Sequence, residues 1–333
     1  MNRYFNAAKS RTSVTCQALK SKAANLKQWL TPADISFFHE FSPPPAGGGH
    51  QFMRALWDEL QRRGLRLENN TISRTTRACL YNSFNFDFDR LKQSQRVGCR
   101  MVHRVDGPIQ IYRDWDNGTD RRIWQINQKL ADVTVFQSHY SLQKHLQLGL
   151  VFKSPQVIMN AANPAIFHAQ GRLLFCRDRK IRLLSSSWSD NPNKGFAIYK
   201  WLEEHLDWQR FDYTFVGRTP IQFDKIRTLP PVTSEKLANL LRQHDIYISA
   251  SKHECCSNSL IEALACGMVT LYIDSGSNAE IVAGAGLSFC HHEEISSTLN
   301  LLIENYEFHQ AQISLPTLQE VGDRYLQVMG LSA

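Results

Sequence analysis

Short apolar runs alternate along this chain with stretches whose apolar residues recur at helical spacing. In "DISFFHEF" the positions Ile35, Phe37 and Phe38 predict a buried strand, and the "SPPPAGGG" that follows can be neither helix nor central strand. From His50 the apolar positions Phe52, Leu56, Trp57 and Leu60 predict a helix that Gly64 ends. Strand-like "RACLYNSF", "CRMVHRVDG", "ADVTVFQS" and "SPQVIMNAAN" come next, some of them separated by helical "DRRIWQINQKL" and "SLQKHLQLG". A second series begins after residue 175. It holds the strands "KIRLLSSSW", "FDYTFVGR", "DIYISAS" and "MVTLYID" and the helices "GFAIYKWLEEHL", "SEKLANLLRQH" and "SLIEALACG".

Repeated strand–helix alternation implies parallel sheets joined by right-handed crossovers, hence an α/β protein. Two series joined near "NAANPAIFHAQGR" predict two Rossmann-like domains facing a central cleft. The expected division is a basic arm over 1–30, a first domain over 31–165 and a second over 166–333, whose last helices are free to cross back. In such sheets ligands bind outside the carboxyl ends of the strands. The glycine-rich turn and Glu254 both fall at such ends.

Length supports two domains: 333 residues, 43% hydrophobic and 21% charged, are ample for two cores. No apolar run approaches the roughly 20 residues a spanning helix needs, and the start lacks a secretory h-region. The expectation is a cytoplasmic protein. The net charge is +7, and Arg3, Lys9, Arg11, Lys20, Lys22 and Lys27 all precede the first acid, Asp34. Leu19, Ala23, Leu26 and Leu30 recur at helical spacing in the same stretch, so it suits a peripheral contact with an anionic membrane at its inner face, or equally a solvated arm. No zinc finger, RNP-type motif or basic-aromatic array accompanies the charge, so nucleic acid is not an expected partner. The cysteines at 16, 79, 99, 176, 255, 256, 266 and 290 show no CxxC and no zinc-finger spacing, and read as reduced apolar fillers.

The densest candidate chemistry lies in "SKHECCSNSLIEALACG", residues 251 to 267. Ser259 with Glu262 fits an S-x-x-E capping box. The same small-residue approach to a helix N-terminus also suits an anion. Gly48 and Gly49, between a strand and a helix, present backbone amides to a phosphate or polar ligand, although their spacing is neither GxGxxG nor a P-loop. The pairs Asp87–Asp89 and Asp114–Asp116 have the Asp-x-Asp form of a metal site, a form short enough to arise by chance, and no metal is expected.

"SASKHECCSNSLIEALACGMVTLYIDSGSNAEIV" resembles the nucleotide-sugar site of the GT-B glycosyltransferases, in particular glycosyltransferase family 4. Glu254 and Glu262 match its E-x7-E pattern, and "ADVTVFQSHYS", "VIMNAANPAIF" and "NPNKG" extend the resemblance from about residue 34 to about 285. The resemblance implies that Lys194 binds the donor diphosphate, that Glu254 holds the donor sugar and that Glu262 takes the ribose hydroxyls. The amides of Ser257, Asn258 and Ser259 become further donors, Gly48 and Gly49 admit the donor phosphate or the acceptor, and His103 stands near the transferred sugar. The family's arginine a few residues before the lysine is absent. Trp188 occupies about that place, and Arg218, ending the next strand, is the candidate replacement.

The implied activity is a retaining, metal-independent, hexosyltransferase-type glycosyltransferase with no cofactor, moving a sugar from a nucleotide diphosphate donor to a saccharide or lipid-linked acceptor in surface polysaccharide or glycolipid synthesis. Two alternatives share the fold: a non-catalytic sugar-nucleotide-binding partner subunit, and a sugar-nucleotide epimerase.

Overall fold

Strands buried on both faces need near-continuous apolar sequence, and that is what the sheets of this protein contain. All four residues of "ISFF" are buried, as are all five of "VTLYI". The computed structural model describes residues 29–42, 48–83, 86–95 and 97–331. Residues 1–28, which hold nearly all of the basic arm, lie outside the described residues.

The first domain contains β1 (Ile35–Phe38), α1 (Gly48–Arg62), β2 (Leu67–Asn69), β3 (Ala78–Asn82), α2 (Phe88–Ser94), β4 (Arg100–Val105), α3 (Ile109–Arg113), α4 (Thr119–Leu130), β5 (Val133–Phe136), α5 (His139–Gln147) and β6 (Pro155–Val157). The second contains β7 (Ile181–Ser187), α6 (Phe196–His205), β8 (Phe211–Gly217), β9 (Arg227–Leu229), α7 (Ser234–Arg242), β10 (Ile246–Ser249) and α8 (Asn258–Ala265). It continues through β11 (Val269–Ile273), α9 (Asn278–Val282), β12 (Gly286–Phe289), α10 (Ile295–Glu304) and α11 (Tyr306–Ala311). The last helix, α12 (Leu318–Val328), returns to the first domain.

Each domain has one six-stranded sheet, in the orders β2-β1-β3-β4-β5-β6 and β12-β11-β10-β7-β8-β9. Every strand pair is parallel. Helix α1 turns Phe52, Met53, Leu56 and Leu60 into the first core, and Trp57 sets its ring edge-on to Phe37 at 5.1 Å. Gly64, at φ 84°, takes the left-handed turn that ends the chain's helical course there. Leu318, Val321 and Tyr325 of α12 are buried in the same core, and Arg63 of the first domain donates to Asp323 at 2.5 Å. The carboxyl ends of β4, β7 and β10 lead into Asp106, Trp188 and Glu254, which line one cavity between the domains.

Candidate active site

Two turns of the second domain build the centre of the site. β7 runs out through Trp188 into a short 3-10 turn, Pro192–Lys194, which opens with the Asn191 side chain accepting from the Asn193 amide. Gly195 then takes φ 80°, and a Cβ there would lie 2.3 Å from the Ala250 carbonyl oxygen, so only glycine lets this turn lie on the end of β10. The Lys252 amide donates to the Asn193 carbonyl at 2.8 Å and locks the two turns together. In consequence Lys194 Nζ meets Glu254 Oε1 at 2.5 Å, with both side chains largely buried. Burial alone lowers an ammonium's pKa, but the Glu254 carboxylate and the Tyr112 hydroxyl outweigh it here and hold Lys194 above its usual value.

The "SNAEIV" stretch supports this arrangement from behind. Gly276, at φ 68°, packs its Cα where a Cβ would sit 2.6 Å from the Glu254 backbone, and the Ser277 amide donates to the Glu254 carbonyl at 2.9 Å. Asn278 donates to the carbonyls of Ser251 and Ile273, each at 3.1 Å.

Helix α8 begins at the same cavity. Its cap residue, Ser257, makes no side-chain capping bond, and its hydroxyl pairs instead with Ser259 Oγ at 3.1 Å. The expected Ser259–Glu262 capping box is therefore not formed: the helix starts two residues earlier, which puts Ser259 inside the first turn and Glu262 just past it. First-turn amides have no partner within a helix and carry the positive end of its dipole. Glu262 is 7% exposed, and burial pushes its carboxyl up to about 8.

Lys194, Glu254, Ser257, Asn258, Ser259 and Glu262 all line one cavity of about 340 Å³. The first domain supplies the opposite wall through Gly48, Gly49, Asp106, Tyr112 and Gln137. Gly48 touches the second domain directly: a Cβ on it would be 2.6 Å from Asn258 Cβ, whereas Gly49 opens onto free space. Tyr112, missed in the sequence, rides on the five-residue α3. The Asp120 carboxylate accepts from the Ile109 and Gln110 amides at 2.8 and 2.9 Å, and Asn193 donates to the Tyr112 carbonyl at 2.5 Å.

His103 does not join this cavity. It lies inside β4, fully buried, stacked on Tyr81 at 4.3 Å, with its Nδ1 3.1 Å from the side-chain Nδ2 of Asn127. Burial pulls its pKa down to about 3, so it is a neutral core imidazole. The residue that emerges at the carboxyl end of β4 is Asp106, three positions on. Its carboxylate accepts from buried Arg104 at 3.0 Å and from Gln137. Arg104 is 1% exposed and also donates to Asn82 and Asn160. Asn160 continues the chain of bonds to Asn258 at 3.1 Å, so the lining residues Asp106, Gln137 and Asn258 are joined by a polar network spanning both domains.

Arg218 stands exposed just beyond β8, its amide donating to the Ser187 carbonyl at 2.8 Å, and is not part of the lining. Trp188 is part of it. Neither Asp-x-Asp pair lines the cavity either. Asp87 caps α2 through the Arg90 amide, and Asp116 accepts from the Gly118 amide.

Residues 223–314 match the family model of the glycosyl transferases group 1, a span that includes Glu254, α8 and Glu262. No curated protein matches the chain in sequence. Among solved structures, the catalytic domain of starch synthase IV from Arabidopsis thaliana, bound to ADP and acarbose, superposes with a TM-score of 0.67. It is 10% identical, with 90% of this chain and 99% of that one covered. Sucrose-phosphate synthase from Thermosynechococcus elongatus gives 0.63 at 12% identity, covering 90% and 95%. Anabaena Alr3699/HepE in complex with UDP and glucose gives 0.62 at 13% identity, covering 90% and 97%. The chain has the GT-B glycosyltransferase fold.

Proposed function

We propose that this protein is a retaining, metal-independent glycosyltransferase that uses a nucleotide diphosphate sugar. The observation that carries the reading is the convergence of a charged lysine, a helix N-terminus and Glu254 on one interdomain cavity. Departure of the sugar leaves negative charge on a diphosphate, and fixed cations and amides aimed at that charge lower the barrier. Lys194 and the amides of Ser257, Asn258 and Ser259 take this role. Glu254 accepts from hydroxyls of the donor sugar and at the same time holds Lys194 in place. Glu262 takes the ribose hydroxyls. Asp106 meets the sugar from the first domain, in the role expected of His103.

For retention, the acceptor hydroxyl attacks on the face the diphosphate leaves. The bond from the anomeric carbon to the leaving phosphate oxygen breaks, the new bond to the acceptor oxygen forms, and the hydroxyl proton passes to the departing oxygen. The bound ligands of two structural neighbours, ADP with acarbose and UDP with glucose, fit a nucleotide-sugar reading. The acceptor is a saccharide or a lipid-linked sugar. Among the described residues no helix is long and apolar enough to cross a membrane, and the basic arm is the proposed peripheral contact.

One observation favours a second reading, a non-catalytic sugar-nucleotide-binding subunit: Lys194 is the single cation among the described residues lining the cavity, and it is already paired. Incubation with a panel of labelled nucleotide sugars, with and without acceptors, separates the two. Release of nucleoside diphosphate that depends on Lys194 supports an enzyme, and tight binding with no turnover of any donor supports the subunit.

A further inference from the structure

A second cavity, of about 420 Å³, lies beside α3 in the first domain. The two cavities share that helix: Tyr112 lines the reaction cavity, whereas Ile109 and Arg113 line the second one. They also share the Ser83–Asp106 contact. Ser83 lines the second cavity, its hydroxyl accepts from the Asp106 amide at 2.7 Å, and Asp106 lines the first. The two cavities are therefore neighbours along α3 and share no lining residue.

The lining is divided in chemistry. Ile123, 3% exposed, and Ile126, 9% exposed, form an apolar floor beside the partly buried rings of Phe86 and Phe88. Arg113 and Arg122 stand at its edge, both exposed, and neither makes an ion pair among the described residues. Guanidinium groups match phosphate geometry through two parallel hydrogen bonds, and two unpaired arginines over an apolar floor suit an anion with a hydrophobic body. The position of α3 is fixed from both sides, by Asp120 at its start and Asn193 near its end, so the cavity is preformed.

We infer that this cavity binds an amphiphile carrying a phosphate, its apolar part against Ile123, Ile126, Phe86 and Phe88 and its phosphate between Arg113 and Arg122. The binding chemistry stands on these residues alone and not on the glycosyltransferase reading.

Calorimetry with dodecyl phosphate below its micelle concentration tests it, with dodecyl maltoside and inorganic phosphate as comparison ligands. Saturable binding of dodecyl phosphate is expected. It should weaken at least about tenfold in the double variant Arg113→Gln/Arg122→Gln, one lost charge-assisted bond being enough for such a change. Phe88→Ala should weaken it as well. Equal affinity for dodecyl maltoside, equal affinity for inorganic phosphate, or wild-type affinity in the double arginine variant would each overturn the inference. UDP, GDP and ADP titrated into the same preparations keep the two readings apart. Loss of every nucleotide with dodecyl phosphate still bound counts against the donor site and leaves this cavity standing.

Discussion

Glu262 is the residue whose chemistry depends most on its surroundings. Its folded pKa, about 8, lies above the ordinary carboxyl value, so the folded state binds the extra proton. The associated stability is fully present below the unfolded pKa and is lost as pH rises through about 8. Melting temperatures measured between pH 6 and 9 should fall for the wild type on this account and stay flatter for Glu262→Gln. If the ionised carboxylate accepts from ribose hydroxyls, nucleotide binding at pH 7 should also release a proton, seen as a buffer-dependent heat, and the Gln variant should release none. Lys194→Ala should lower turnover by about 10² at saturating donor, the cost of losing one strong donor to a developing charge. Near-normal turnover would remove Lys194 from the diphosphate role. The pairing of Glu254 with Lys194 could not be read from spacing, because 60 positions separate them and the contact depends on Gly195 resting on Ala250. His103 was misplaced for a simpler reason. β4 runs on to Val105, so the side chain at the strand's open end is Asp106.

Legibility did not follow length: four-residue β10 was expected, whereas α10 and α12, of 10 and 11 residues, were not singled out. β10, β11, α7 and α8 have strict apolar patterns bounded by polar or small residues, and each was expected close to where it lies. β2 (LEN) and β12 (GLSF) break up their few apolar residues with polar or glycine positions and so carry too little pattern to stand out. The five-residue α3 is held by Asp120 and Asn193 rather than by its own periodicity, which is why Tyr112 escaped notice. Gly276 is the element-level test of the site. Alanine there combines a left-handed backbone, which costs about 1 kcal/mol or more, with a Cβ 2.6 Å from the Glu254 backbone. Gly276→Ala should lower the melting temperature modestly and reduce transfer far more, because the clash displaces Glu254 itself. Loss of stability with undiminished transfer would show that Glu254 need not be held so closely.

At the level of the whole molecule, the alternation of strands and helices sufficed to predict two parallel sheets, while the contacts that hold the sheets face to face were invisible to it. Glu280 of the second domain accepts from the His139 and Tyr140 amides at 2.8 and 2.6 Å, at the N-terminus of α5 in the first, where a carboxylate also meets the helix dipole. The Tyr140 hydroxyl lies 3.2 Å from His253 Nδ1 beside it. Glu280→Ala should open the cleft, enlarging the radius of gyration by X-ray scattering and weakening donor affinity about tenfold, with secondary structure unchanged. An unchanged radius and unchanged affinity would mean that other contacts keep the domains closed. The central claim is that this cleft holds a nucleoside diphosphate without a metal, through Lys194 and the first turn of α8. The most direct measurement is thermal melting with UDP, GDP and ADP in the presence of EDTA. At a hundredfold excess over its Kd, a ligand that binds only the folded state stabilises by about 2.7 kcal/mol. At least one of the three should raise the wild-type melting temperature by several degrees and leave that of Lys194→Ala near its own baseline. A shift that appears only when Mg²⁺ or Mn²⁺ replaces EDTA, or no shift with any of them, would contradict the account.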